Sequence, residues 1–359
     1  VGELLLRLLA HPNIASKHWV VRQYDHEVQG ASAVKPLVGP MQDGPGDAAV
    51  VRPRLDSRRG VAIANGLCPA LADANLAGDA DPYQMVLGAL DEAIRNAVCV
   101  GADPSRIAIL DNFCWPSCDT PEMMGALVRA AEACLDGALT YRTPFVSGKD
   151  SLNNQFTTEA GELIAIPPTM LITAVGMVND VTRCRTMDAK QAGHRLIVVG
   201  ETTANLGGSH LAMLESAADS SSIPRMDCER GAATARAVAT LIASGVVAAA
   251  HDCSDGGLLV AAAEMAFAGR IGLDLDLSGL PCNDAVSTVA RCFAESPSRY
   301  LLEVAEDQID AVRRACDAAG VPCGVIGTFA AHERLTVSAI DLDMELNVLR
   351  QTWLDPLNW

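Results

Sequence analysis

The strongest constraint on how this chain folds is an alternation of β-rich and helical segments. From Asp47 onward, short β-rich runs trade places with long Ala-rich helical stretches, separated by turns containing Gly and Pro. AAVVRPRL and GVAIAN read as strands, a helix begins near Asp81, RIAILDN is a strand, a second helix runs from Pro121 to Leu139, and PFVSG follows. HRLIVVGE, at residues 194 to 201, opens a second set and leads into the Gly-rich turn NLGGS. A helix near 229 to 244, the segment HDCSDGGLLVAAAEMAFAG, the strand IGLDLDL and the alternation YLLEVAED, DAVRRACDAAG, VPCGVIGTF complete that set. Amphipathic helices and strands of this kind bury their apolar faces by layering helix on sheet, so the expected fold class is α/β of the α+β kind. Two domains are expected, at 31–185 and 186–359, meeting near the QAG at 191–193. Residues 1–30, with Leu4, Leu5, Leu8 and Leu9 at helical spacing and then a polar, aromatic stretch from Trp19 to His26, read as a helical lead-in or linker. No period of about 20 to 50 residues recurs, which excludes a solenoid.

The length of 359 residues supports two cores, and a chain half apolar and one-fifth charged is globular in character. Its net charge of −17, from 27 basic and 44 acidic residues, comes with no run of Lys or Arg able to track a phosphate backbone, so nucleic acid is not an expected partner. Carboxylates in excess suit divalent cations, and a nucleotide arriving with its own Mg2+ would present that metal to them. No stretch reaches the roughly 18 apolar residues of a membrane span, and VGELLLRLLAHPN lacks the basic start and cleavage pattern of a signal peptide. The expected location is the cytoplasm, with no membrane partner. The 12 cysteines are scattered and read as reduced thiols, and Cys114 and Cys118 have no second pair to complete a zinc site. The sequence opens on Val1, which fits removal of a tag or of an upstream segment, and a piece of a longer protein is expected.

Four places offer the hard oxygen ligands that an Mg-nucleotide site draws from separate segments. Asp47, after Gly46 in PGDAAVV, stands at the mouth of a strand, where it could equally close the turn on its own backbone. Glu92 and Asn96, four residues apart on a helix, share one face and could touch one metal, or be a solvated pair beside Arg95. The segment from His251 to Gly257 sets Asp252, Ser254 and Asp255 before two glycines that open an apolar helix. Such an N-terminus favours phosphate through its free N–H groups and dipole, and the same residues serve as an ordinary N-cap. Gly148, Lys149 and Ser151 follow the strand PFV. This is not a P-loop, because Thr143 stands where the first glycine would be, yet Lys149 could meet a phosphate as a point charge or form a surface pair with Asp150.

Together, PNIASKHWVVRQYDHEVQG, PGDAAVV, DEAIRNAV, ILDNFCWPS, PFVSGKDSLNN, NLGGSHL and HDCSDGGL, in this order, resemble the second half of the synthase region of the phosphoribosylformylglycinamidine synthase family. That family belongs to the aminoimidazole ribonucleotide (AIR) synthetase superfamily. The resemblance implies an AIR synthetase-like unit, in which an N-terminal αβ domain forms half of a β-barrel and a mixed αβ domain follows. It implies an ATP-dependent ligase of purine biosynthesis, which converts formylglycinamide ribonucleotide to its amidine with glutamine-derived ammonia. Expected partners are the first half of the synthase, in the same or a separate chain, and a glutaminase domain or subunit, with a homodimer through the N-terminal domain as a further possibility for a fragment. By the same resemblance, Asp47, Glu92, Asn96 and Asp252 hold Mg2+, Gly46, Gly148 and Ser254 lie beside ATP or ADP, and Lys149 and Ser151 face the catalytic centre of the other half. Lys149 and Asp150 stand where short-chain members carry Asn and Val, which removes one metal ligand of that branch. The site in this half is expected to be auxiliary, and the chain inactive alone. Two other readings stay open: a stand-alone superfamily enzyme of the cyclo-ligase, selenophosphate synthetase or thiamine monophosphate kinase type, and a non-catalytic nucleotide-binding module.

Overall fold

The computed structural model describes residues 1–215, 222–283 and 285–358. Helix α1 (Gly2–Leu9) presents Leu5, Leu8 and Leu9, each with no exposed surface, and the short helix α2 (His18–Arg22) follows. At roughly 1.5–3 kcal/mol for each leucine taken from water, α1 is held firmly.

The first sheet has six strands: β1 (Ser32–Val34), β2 (Ala49–Val51), β3 (Gly60–Leu67), β4 (Ile107–Cys114), β5 (Phe145–Ser151) and, after a hairpin of β6 (Gln155–Thr157) and β7 (Leu163–Ala165), β8 (Thr169–Val178). Their order is β1-β2-β3-β8-β4-β5, antiparallel except between β4 and β5, and the sheet is open rather than closed. Helices α3 (Pro82–Cys99) and α4 (Pro121–Tyr141) lie between its strands in sequence, and both begin as their residues dictate. Asp81 and Thr120 cap the first turns by accepting N–H bonds from Tyr83 and Met123, with Pro82 and Pro121 next in line. Alternation along β3 decides which side α3 covers: Ala62 and Ala64 are buried, whereas Ile63 and Leu67 stay 42% and 43% exposed. Gly66 is where α3 comes closest, since a Cβ there would stand 1.9 Å from the Ala89 carbonyl oxygen. The opposite face, with Val61, Ile63 and Leu67 of β3 in register with Met177, Val175 and Leu171 of β8, has no covering layer among the described residues.

The second sheet contains β9 (Arg195–Val199), β10 (Val247–Asp252), β11 (Gly272–Leu275), β12 (Tyr300–Val304), β13 (Cys323–Ala330), β14 (Arg334–Val337) and β15 (Leu342–Glu345). Its order is β10-β12-β9-β13-β11-β14-β15, mixed, with only β11 and β14 parallel. The helices here are α5 (His210–Leu214), α6 (Cys228–Ser244), α7 (Gly257–Gly269), α8 (Thr288–Phe293), α9 (Ile309–Ala319) and α10 (Leu346–Leu354). Helix α7 is buried on nearly every side, as its all-apolar sequence requires. It packs against α8, α10 and α1, so the first helix docks in the second layer system although it is first in sequence. None of the 12 cysteines is in a disulfide, and no helix among the described residues is long and apolar enough to cross a membrane.

Candidate functional site

Strand β10 carries His251 and Asp252 to its carboxyl end, where the chain turns through Ser254 and Gly256 into α7. Asp47 arrives from the mouth of β2. Its Oδ1 accepts a 2.7 Å bond from His251 Nδ1 and a 2.9 Å bond from the Asp252 backbone N–H. On its other side His251 donates through Nε2 to Glu264 of α7, at 3.2 Å. Burial disfavours the imidazolium, but the Asp47 and Glu264 carboxylates outweigh it and hold His251 well above the ordinary histidine range. Burial also pushes the Asp252 carboxyl up, with Arg95 pulling the other way.

Helix α3 supplies the second wall. Arg95 is 3% exposed and bridges two acids, pairing closely with Asp91 one turn away and reaching Asp252 Oδ2 at 3.3 Å. Asp91 also accepts from the Tyr141 hydroxyl at 2.5 Å and from the Ser298 N–H and hydroxyl at 2.9 Å each. Glu92 and Asn96 both reach the backbone of β3. Glu92 accepts from the Leu67 N–H at 2.7 Å, and Asn96 donates to the Asn65 carbonyl at 3.0 Å. Burial, then the charges of Asp255 and Asp252, push Glu92 up to about 8.

A cleft of about 570 Å³ opens beside this network, lined by Glu92, Arg95, Ser254, Asp255, His210 and Glu295 among others. His210 donates to Glu295 at 3.0 Å and lies 3.7 Å from Asp255. Burial lowers its basicity, the two carboxylates raise it more, and the net result is a group pushed up to about 9. Gly207 and Gly208 on the rim are structural requirements: Gly208 has φ of +69°, and a Cβ on Gly207 would stand 2.6 Å from the Ser222 carbonyl oxygen. The tight-turn reading of NLGGS is therefore sufficient.

The structure thus brings Asp47, Asp252, Glu92 and Ser254 to one region, with Asn96 on the same helix as Glu92. Two of the four sequence-predicted metal ligands carry a buried oxygen without a hydrogen-bond partner, Asp47 Oδ2 and Asn96 Oδ1. Buried polar atoms are nearly always satisfied, so orphaned oxygens of this kind fit a divalent cation that prefers oxygen ligands. Gly46 precedes Asp47 where a Cβ would meet the Pro36 carbonyl oxygen at 2.9 Å. Lys149 and Ser151 lie elsewhere. The residues read as following the strand PFV continue it as the edge strand β5, with Lys149 opposite Asn112 and Ser151 opposite Cys114. Register sets both on the open face of the sheet, and Lys149 donates to the Ser151 hydroxyl. Gly148, on the other face, sits where a Cβ would collide with the Asp111 carboxylate at 2.1 Å. Sequence reasoning missed Asp91, Arg95, His210, Glu264 and Glu295 as site residues. Asp91 and Arg95 carried a signal as an oppositely charged i,i+4 pair on the helix that also bears Glu92 and Asn96, and His210 lies in the NLGGSHL run.

Two family profiles match the chain: the AIR synthase related protein N-terminal domain over residues 45–178 and the C-terminal domain over residues 191–340. The phosphoribosylformylglycinamidine synthase subunit PurL of Rhodopseudomonas palustris (strain BisB18) is 34% identical over 355 residues, which is 99% of this chain and 45% of that protein. The corresponding subunit of Deinococcus radiodurans is 33% identical over 369 residues, 99% of this chain and 46% of that protein. The chain therefore spans about half the length of these curated relatives. Among solved structures, T. maritima PurL complexed with FGAR superposes with a TM-score of 0.71 at 16% identity, covering 98% of this chain and 53% of that one, which shows a shared fold. With both domain profiles matched in order over most of its length, and with that fold, this chain belongs to the AIR synthase related family.

Proposed function

We propose that this chain is the second of two AIR synthetase-like units of a phosphoribosylformylglycinamidine synthase, divided at about residue 186, and that it holds an auxiliary Mg-nucleotide site. The observation that carries the reading is the meeting of Asp47 and Asp252 across 205 positions of sequence, with Asp47 Oδ2 left unpaired in the buried site. Asp47, Glu92, Asn96 and Asp252 would hold the metal, while Gly46 and Ser254 lie beside the nucleotide. Bound Mg2+ neutralises polyphosphate charge. The chain's own residues orient the site: Asp47 fixes His251 and the Asp252 backbone, and Glu92 and Asn96 anchor the metal-facing side of α3 to β3.

Formylglycinamide ribonucleotide, ATP and glutamine-derived ammonia are the proposed reactants of the whole synthase, giving the amidine, ADP and phosphate. Lys149 and Ser151, on the open sheet face, would meet the catalytic centre of the first unit. The apolar, uncovered side of β3 and β8 supports a sister unit as partner, and a glutaminase is the proposed ammonia source. In the cytoplasm these would act as one complex. The test is reconstitution with substrate, ATP and ammonia. The chain alone is expected to give no amidine, and addition of the first half should restore it; turnover by the chain alone would overturn the reading.

A further inference from the structure

The Asp91–Arg95–Asp252 relay joins three parts of the molecule to one carboxylate. Asp91 is 2% exposed and is gripped by four donors: Arg95 on its own helix, Tyr141 at the end of α4, and the N–H and hydroxyl of Ser298. Ser298 adopts φ of +57°, a left-handed conformation that a serine rarely takes, and in it presents both donors to Asp91. Helix α6 closes the arrangement. A Cβ on Gly231 would stand 2.0 Å from the Tyr141 hydroxyl and 2.7 Å from the Ser298 hydroxyl, so only glycine fits beside this cluster.

The asymmetry within the relay is its informative part. Arg95 pairs tightly with Asp91 through Nη1 and only at 3.3 Å with Asp252 through Nη2. A guanidinium is the natural bidentate partner of a carboxylate, and a free one facing Asp252 would close onto it with both nitrogens. Held by Asp91, it does not. Resting on the nucleotide-site reading above, we propose that Asp91 is a positioning residue, tethering Arg95 so that the Asp252 carboxylate stays available to a divalent cation. Asp91 itself touches neither metal nor nucleotide in this scheme. Its place on α3, one position before Glu92, also ties the metal-facing side of the helix to the Ser298 turn of the second layer system.

The tether makes a distinctive prediction about paired substitutions. Asp91→Asn keeps the shape and one acceptor oxygen for the Ser298 N–H, leaves the Ser298 hydroxyl to turn and accept from the amide, and loses the charge that holds Arg95. Arg95 then closes on Asp252 and competes with the cation. Removing the competitor as well, in Asp91→Asn/Arg95→Met, frees Asp252 again. The experiment is Mn2+ titration in the presence of ADP, followed by the electron paramagnetic resonance signal of free Mn2+, with circular dichroism as the check on folding. Asp91→Asn is expected to weaken Mn2+ binding tenfold or more, and the double variant to return to within threefold of wild type. Tyr141→Phe, which removes one bond to Asp91 without changing charge, is expected to weaken binding two- to threefold in a fully folded protein.

Recovery in the double variant is a result that a purely structural role for Asp91 does not give. Wild-type affinity in Asp91→Asn, or a double variant as weak as the single one, overturns the tether while leaving the nucleotide site standing. If the single variant does not fold, Tyr141→Phe decides, and wild-type affinity there overturns it. Absence of Mn2+ binding by the wild-type protein overturns the nucleotide-site reading and the tether with it.

Discussion

Asp47 and Asp252 stand 205 positions apart in the sequence, and the Asp47 carboxylate accepts the Asp252 backbone N–H at 2.9 Å while also holding His251 at 2.7 Å. One side chain from the first domain thereby fixes both the direction of β10 and the charge of the histidine beside it. Asp47→Asn retains an acceptor and removes the negative charge, leaving His251 with Glu264 at 3.2 Å and Asp252 at 3.7 Å as its carboxylate partners. Breaking a buried charge pair by neutralising one member costs about 3 kcal/mol or more. Chemical denaturation should show a loss of that order, and unchanged stability would argue that the pair is not formed.

A second expectation concerns pH. His210 is pushed from 6.5 up to about 9. Its folded value lies above its unfolded one, so its contribution to stability is complete below about pH 6.5 and is lost as pH rises through about 9. At ~1.4 kcal/mol per unit, the loss across that window is on the order of 3 kcal/mol. Denaturation midpoints measured from pH 6 to 10 should fall, and His210→Gln should make the dependence shallower. A flat wild-type profile would contradict the ion cluster with Glu295.

Packing gives a third. Gly66 meets the Ala89 carbonyl, with only 1.9 Å for an added Cβ, so Gly66→Ala must separate β3 from α3. Overpacking of this kind costs about 1–3 kcal/mol, read as a lowered unfolding midpoint. Because Glu92 bonds the next residue's N–H, the same substitution should also weaken Mg-ADP binding.

The open sheet face gives a fourth. Ile63 is 42% exposed and in register with Val175 on a surface with no covering layer among the described residues. The isolated chain is expected to self-associate through this face in sedimentation velocity runs, and Ile63→Asp should sediment as a monomer with unchanged circular dichroism. Association that survives Ile63→Asp would place the contact elsewhere.

Much of this architecture was legible because hydrophobic periodicity is local information. The alternation of Ala62, Ile63, Ala64 and Asn65 already separates a packed face from an open one, and LLVAAAEMAFAG announces a helix buried all round. Asp47 and the HDCSDGG segment were legible as chemistry, and their meeting followed from resemblance rather than from spacing. Arg95 entered only as a charge beside a possibly solvated Glu92/Asn96 pair, because charge on a helix normally points outward, whereas here Asp91 and Asp252 neutralise it in the interior. Lys149 was read as following the strand PFV because a glycine beside Lys and a hydroxyl resembles a phosphate-binding turn, yet pairing with β4 continues through Ser151. His210 lies in the NLGGSHL run, but Glu295 is 85 positions away and lies in none of the runs singled out, so nothing local could have joined them.

The most direct test of the central claim is calorimetric titration of Mg-ADP into the wild-type chain and into Asp252→Ala. The account expects saturable binding by the wild type and a matching rise in its melting temperature, worth about 2.7 kcal/mol at a hundredfold excess over Kd. Asp252→Ala should show neither. Absence of binding by the wild type, or an equal response from the variant, would contradict the assignment of a metal-nucleotide site to these residues.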